Sequence, residues 1–175
     1  MEHLAQNIVE FVRLNEAWMA PIVFILAFGE SLAFVSLLLP STVILVAIAG
    51  LLGASGIAVT NIAWVWFVAG LGGALGYWAS YLIGLYFKDD IDKVWPFKSR
   101  PEMLKRGREF FDKWGLLGVF LGHFFGPVRA VVPVIAGMAG MPQLQFQIAN
   151  VASAFLWAAG VIAPSFYGLK WLTHH

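Results

Sequence analysis

The chain has 175 residues, 60% hydrophobic and 12% charged, with a formal net charge of +1 and no cysteine. A soluble domain carries about 25% charged residues. Low charge excludes a disordered chain, the lack of cysteine excludes a disulfide scaffold and thiolate metal sites, and the net charge gives no basis for nucleic-acid binding, so an integral membrane protein remains.

Residues 1–16 are amphipathic, with Leu4, Ile8, Phe11 and Val12 on one face and Glu2, Gln6, Glu10 and Arg13 on the other. They predict an interfacial helix. A basic n-region and a small-residue cleavage site are lacking, so a secretory signal peptide is not expected. Residues 17–56 form one apolar block broken by Glu30 and Pro40. A spanning helix needs about 20 residues, so two full spans would leave no turn. Pro40 removes a backbone donor and clashes with the preceding turn. We read 29–56 as a first re-entrant hairpin, which is tolerated at membrane depth only where protein or a watery cavity shields it.

Residues 57–87 predict a transmembrane helix. Gly72, Gly76, Ser80 and Gly84 recur at every fourth position. Such a small-residue ridge lets another helix approach closely, and a homodimer through it is one expectation. Residues 88–113 read as a cytoplasmic loop, because 8 of the 11 basic residues fall between Lys88 and Lys113 and Lys/Arg density marks the inner side. Ser99-Arg100-Pro101-Glu102 has the form of a capping box. The apolar stripe Met103, Leu104, Phe110, Phe111 and Trp114 then predicts a second amphipathic helix. Residues 114–142 are a second interrupted block, holding His123, Pro127, Arg129 and Pro133, and read as a second re-entrant hairpin. Residues 143–172 supply a closing transmembrane helix, with Lys170 and Trp171 as interface anchors.

The two interrupted blocks echo each other. Gly29-Glu30 precedes Pro40 as Gly122-His123 precedes Pro133, with ten residues from Glu30 and His123 to the proline in each case. Interrupted segments at corresponding places in two halves point to a transporter binding site. Glu30 and Arg129 are the two formal charges inside long apolar regions. A charge there costs at least about 2.5–3.5 kcal/mol on insertion scales, so it is functional by default. The pair can be purely structural, each charge neutralising the other. Alternatively, the planar fork of Arg129 binds an anionic head group, helped by backbone donors near Gly126-Pro127. Glu30 then competes for Arg129 or carries a proton. His123 either titrates beside them or is held by backbone. No nucleophile elbow, His-Glu-x-x-His or phosphate-binding loop is present, so an enzyme is not expected. His123 and Glu30 are too few for a metal site, and no cofactor is implied.

These residues also carry a likeness. Phe28-Gly29-Glu30 with Leu39-Pro40-Ser41-Thr42 resembles the first motif of the DedA family of membrane proteins, which share the VTT (SNARE-associated) domain. His123-Phe124-Phe125-Gly126-Pro127-Val128-Arg129, followed by Pro133, Ala136-Gly137, Met141, Phe146 and Asn150, resembles its most specific stretch. Gly76, Tyr81 and Gly84 match its glycine-rich helix, and Trp157 and Tyr167-Gly168 its closing span. The likeness covers roughly residues 20–170. It departs from the family pattern at Thr42, where a second acid commonly stands, at His123, commonly Arg, and at Tyr77, often Asp.

The resemblance implies two opposed re-entrant hairpins and movement of lipids across the membrane, including undecaprenyl phosphate or phosphatidylethanolamine in bacteria, with links to proton motive force. The combined expectation is a single all-α integral membrane domain over residues 1–175. It holds re-entrant helical hairpins, transmembrane helices and interfacial helices in an inverted-repeat-like arrangement. It would lie multi-pass in a bacterial inner membrane and translocate an anionic phospholipid or undecaprenyl phosphate. Its partners would be the bilayer and the lipid head group, not nucleic acid. Arg129, His123 and Glu30 would form the head-group site with Pro40, Thr42, Gly126, Pro127 and Pro133, and Glu30 and His123 would carry any proton coupling. The alternatives are an ion- or proton-coupled transporter of a small solute that serves envelope homeostasis, a lipid phosphatase, and an assembly role carried by the glycine ridge.

Overall fold

The computed structural model describes residues 16–32, 45–50, 59–88, 101–125, 129 and 131–173. The expected interfacial helix over residues 1–16 falls outside these except for Glu16, and Pro40, Thr42, Gly126 and Pro127 fall outside them entirely. The described residues are mostly helical, with turns between the helices and no strand among them. Five helices follow in chain order: α1 (Glu16–Ser31), α2 (Val59–Tyr86), α3 (Pro101–Gly122), α4 (Val132–Met138) and α5 (Gln143–Thr173). A further helical stretch covers residues 45–50.

Among the described residues, two helices are long and apolar enough to cross a membrane, over Ile62–Tyr86 and Gln143–Gly168. Each exceeds the about 20 residues that a bilayer core requires. They run antiparallel along one another: Trp66 meets Phe155, Asn150 Nδ2 donates to the Ala74 carbonyl at 2.9 Å, and Tyr77 stacks on Phe146. At the far end the Tyr81 hydroxyl donates to the Met141 carbonyl at 2.6 Å. As the number rises along α2 it falls along α5.

This antiparallel pair divides the interior into two cores. One joins Val23 and Ala27 of α1, Leu45 and Ala49, the first half of α2 (Val65, Ala69) and the second half of α5 (Ala158, Ile162). The other joins Tyr77 and Tyr81 of α2, Val119 of α3, Val132 and Ala136 of α4, and Phe146 and Ala149 of α5. The described part of each interrupted block therefore packs at one end of the central pair.

The small-residue ridge of α2 works inside the chain. A Cβ on Gly72 would sit 2.7 Å from the Phe24 carbonyl, one on Gly76 would strike the Phe28 carbonyl, and one on Gly84 would strike the Val134 carbonyl. Between them the Ser80 hydroxyl donates to the Ser31 carbonyl at 3.2 Å. The ridge seats α1 over its first part and α4 over its last. That corrects the expected homodimer through Gly72–Gly84: all four positions are buried against helices of the same chain, so a second copy has no access to them.

Two boundaries also differ from those the sequence predicts. Gly29 and Glu30 belong to the last turn of α1 rather than opening a separate element. The amphipathic helix and the start of the second apolar block form one helix, α3, which is broken at Gly115 by a φ of 45°. That conformation is open to glycine and strained for residues with a Cβ. Before the break α3 is charged, with Glu102–Arg106 at 3.7 Å and Lys105–Glu109 at 3.9 Å; after it Leu116 to Gly122 carry no charge. Glu102 sits in the first turn, where the helix dipole favours an acid.

Candidate functional site

Glu30 lies in the last turn of α1, and Arg129 lies between α3 and α4. The fold brings them together. Arg129 Nη2 is 3.1 Å from Glu30 Oε1, and the same nitrogen donates to the Glu30 carbonyl at 3.4 Å. The residues are 5% and 7% exposed, whereas the other ion pairs among the described residues, both on α3, stand in the open. Exposed pairs contribute about 0–1 kcal/mol at the median. A buried pair is different in kind: it need not stabilise the fold, but breaking it strands a charge.

The two sides of the pair are held differently. Glu30 rides on a helix whose backbone rests against the α2 ridge, with Phe28 on Gly76 and Ser31 on Ser80. Arg129 is held by its own N–H, which donates to the Phe125 carbonyl at 2.8 Å, and by a ring. Its guanidinium carbon sits 4.8 Å from the centroid of Trp157 on α5. A desolvated cation–π contact of this kind contributes about 2 kcal/mol.

His123 lies in the turn that follows α3 and is 1% exposed. Its ring centroid is 4.6 Å from that of Tyr77 and 6.1 Å from that of Trp157. Neither imidazole nitrogen has a hydrogen-bond partner among the described residues, nor does the Tyr77 hydroxyl. A buried polar group without a partner costs about 1–3 kcal/mol. The aromatic line Tyr77–His123–Trp157 thus ends at Arg129 and carries polar atoms whose hydrogen bonds are not made within it.

Of the expected site residues, Glu30, His123 and Arg129 come together. Pro133 does not join them on any observed contact. It sits buried in the first turn of α4, where a missing N–H is no loss. Trp157 and Tyr77 join the site without being expected there from sequence. A tryptophan in a membrane chain suggests an interface belt, yet Trp157 is buried beside the pair. Its position mid-way along α5, 14 residues after Gln143, is the signal that argues against the interface.

Among known proteins, the VTT domain family matches residues 39–165. The chain is 31% identical over 160 residues to inner membrane protein YabI of Escherichia coli, covering 91% of this chain and 59% of that protein. It is likewise 31% identical over 150 residues to the uncharacterized membrane protein BU139 of Buchnera aphidicola, covering 86% of this chain and 57% of the relative. A shorter match, 34% over 89 residues, is to inner membrane protein YghB of Escherichia coli, covering 50% of this chain and 41% of that protein. The chain thus spans under two thirds of the length of these relatives. No solved structure matches it.

Proposed function

The chain belongs to the VTT-domain, DedA family of membrane proteins, and from that membership we propose that it carries an anionic lipid head group across a bacterial inner membrane. The observation that carries this reading is the Glu30–Arg129 pair, buried where two helical halves meet. The planar guanidinium matches a phosphate bidentately. An arriving phosphate takes the place of the Glu30 carboxylate on Arg129, while the Trp157 face keeps the guanidinium in position. Glu30, displaced from its partner, takes up a proton in any coupled cycle, and His123 supplies a polar contact along the path. The hydrocarbon tail stays in the bilayer, so no enclosed pocket is needed. No bond is made or broken, and the protein is not an enzyme in this reading.

The architecture we infer is a multi-pass domain in which two opposed re-entrant hairpins meet near the midplane. Two features support it. α4 has seven residues, at about 1.5 Å each far short of a crossing. The helical stretch at 45–50 packs in the same core as α1, as the two arms of one hairpin would. Undecaprenyl phosphate is the favoured cargo, because one phosphate on a single long chain asks for one guanidinium and a path open to the bilayer.

Reconstitution into liposomes tests the reading. A labelled polyprenyl phosphate is followed from one leaflet to the other, with Arg129→Ala and Glu30→Gln beside the parent. The expected outcome is transfer by the parent and loss in Arg129→Ala. Equal transfer in all three would overturn the mechanism, and release of the head group would point to an enzyme instead.

A further inference from the structure

A second feature lies apart from the buried pair. Between α3 and α4 runs a groove of about 640 Å³, within the range of about 300–1,000 Å³ common for ligand sites. Its walls include Phe110, Trp114, Leu121, Phe125 and Ile135, and Arg106 is the only charged residue among the ten that line it. Glu30, His123, Arg129 and Trp157 are not among them.

The lining follows one face of α3, with Arg106, Phe110, Trp114, Gly118 and Gly122 spaced four residues apart. The floor is set by glycine. A Cβ on Gly118 would sit 2.6 Å from the Phe110 ring, and one on Gly122 would sit 2.7 Å from Val132. The groove therefore starts on the charged half of α3, beside the exposed Lys105, and continues past the Gly115 break into the uncharged half. One end is cationic and the rest is apolar, which is the profile of an amphiphile with an anionic head.

We propose that this groove holds one acyl chain of an anionic phospholipid whose phosphate sits at Arg106. The site goes beyond the transport reading and does not depend on it. A sugar or nucleotide would find almost no hydrogen-bonding partners there. Glu102 competes for the guanidinium at 3.7 Å, but both side chains are about four-fifths exposed. Such a pair is weak and yields to a phosphate, whose contact with arginine is charge-assisted and bidentate.

Photolabelling in nanodiscs tests the site. Phosphatidylglycerol and phosphatidylcholine carry the same diazirine at the end of one acyl chain, and labelled peptides are mapped by mass spectrometry. The expected label falls on Leu121–Phe125 and Ile135. Phosphatidylglycerol should label about fivefold more, the effect of one basic side chain near an anionic surface. Arg106→Gln should bring that ratio close to one while phosphatidylcholine labelling persists. Ile135→Trp, which fills the groove, should reduce both. Equal labelling by the two lipids in the parent, or a ratio that survives Arg106→Gln, means ordinary surrounding lipid only and overturns the proposal. A ratio lost instead in the double variant Glu30→Met/Arg129→Met places the anionic contact at the buried pair and overturns it too. Failure of lipid transfer in liposomes leaves every one of these outcomes readable.

Discussion

The two ends of the α2–α5 pair are built from different material. The end that holds α1 packs mostly aliphatic and small residues, Val23, Ala27, Leu45, Ala49 and Ala69, around two buried rings, Trp157 and Phe166. The end that holds α3 and α4 is aromatic and carries polar atoms: Tyr77, Tyr81 and Phe146 stack there, and His123 and the Tyr77 hydroxyl lie beside them without partners among the described residues. The acid comes from the first end, on a helix pressed backbone to backbone against glycine. The base comes from the second, between the turn after α3 and a seven-residue helix. The pair thus joins an acid from one end of the α2–α5 pair to a base from the other.

The comparison can be broken at several points, which differ in expected size. Removing the base alone is the most severe. Arg129→Ala takes the guanidinium from the buried Glu30 carboxylate and should lower stability by about 3–5 kcal/mol, read as an earlier thermal transition in detergent. Replacing both residues by methionine should recover most of that loss, because well-packed apolar groups are often neutral replacements for a buried pair. Gly84→Val forces a side chain onto the Val134 carbonyl and should cost about 1–3 kcal/mol or more. The same substitution at Gly160, where a Cβ meets no atom within 4 Å, should be neutral or slightly stabilising, because valine has a higher helix propensity than glycine. Trp157→Leu removes the ring face from Arg129 and should cost about 2 kcal/mol, with transfer slowed even where the fold survives. Ser80→Ala deletes one buried hydrogen bond to α1 and should cost about 1 kcal/mol. Equal losses at Gly84 and Gly160 would show that the ridge does not set the packing, and a silent Trp157→Leu would remove the second anchor of Arg129.

Charge scarcity makes the acid and the base visible in the sequence itself. With most charge confined to residues 88–113, Glu30 and Arg129 stand out, and the fold joins them. The ridge is legible as a close-packing surface, but spacing cannot say whether the approaching helix belongs to the same chain. Here it does, at Phe24, Phe28 and Val134. The continuity of α3 through Gly115 is hidden because glycine leaves no periodic trace, and the change from charged to apolar residues looks like an element boundary. Trp157 and Tyr77 are hidden for another reason. Their residue types suit membrane interfaces, and only the antiparallel fit of α2 on α5 turns them toward His123 and Arg129.

The central claim is that the buried pair serves transfer of an anionic head group and not the fold alone. The double variant Glu30→Met/Arg129→Met separates the two, since it removes both charges without stranding either. Its rate of polyprenyl phosphate transfer in liposomes, measured beside a melting temperature close to the parent's, is the most direct test. The account predicts a folded protein with no transfer above protein-free liposomes. Transfer at the parent's rate by that variant would contradict it.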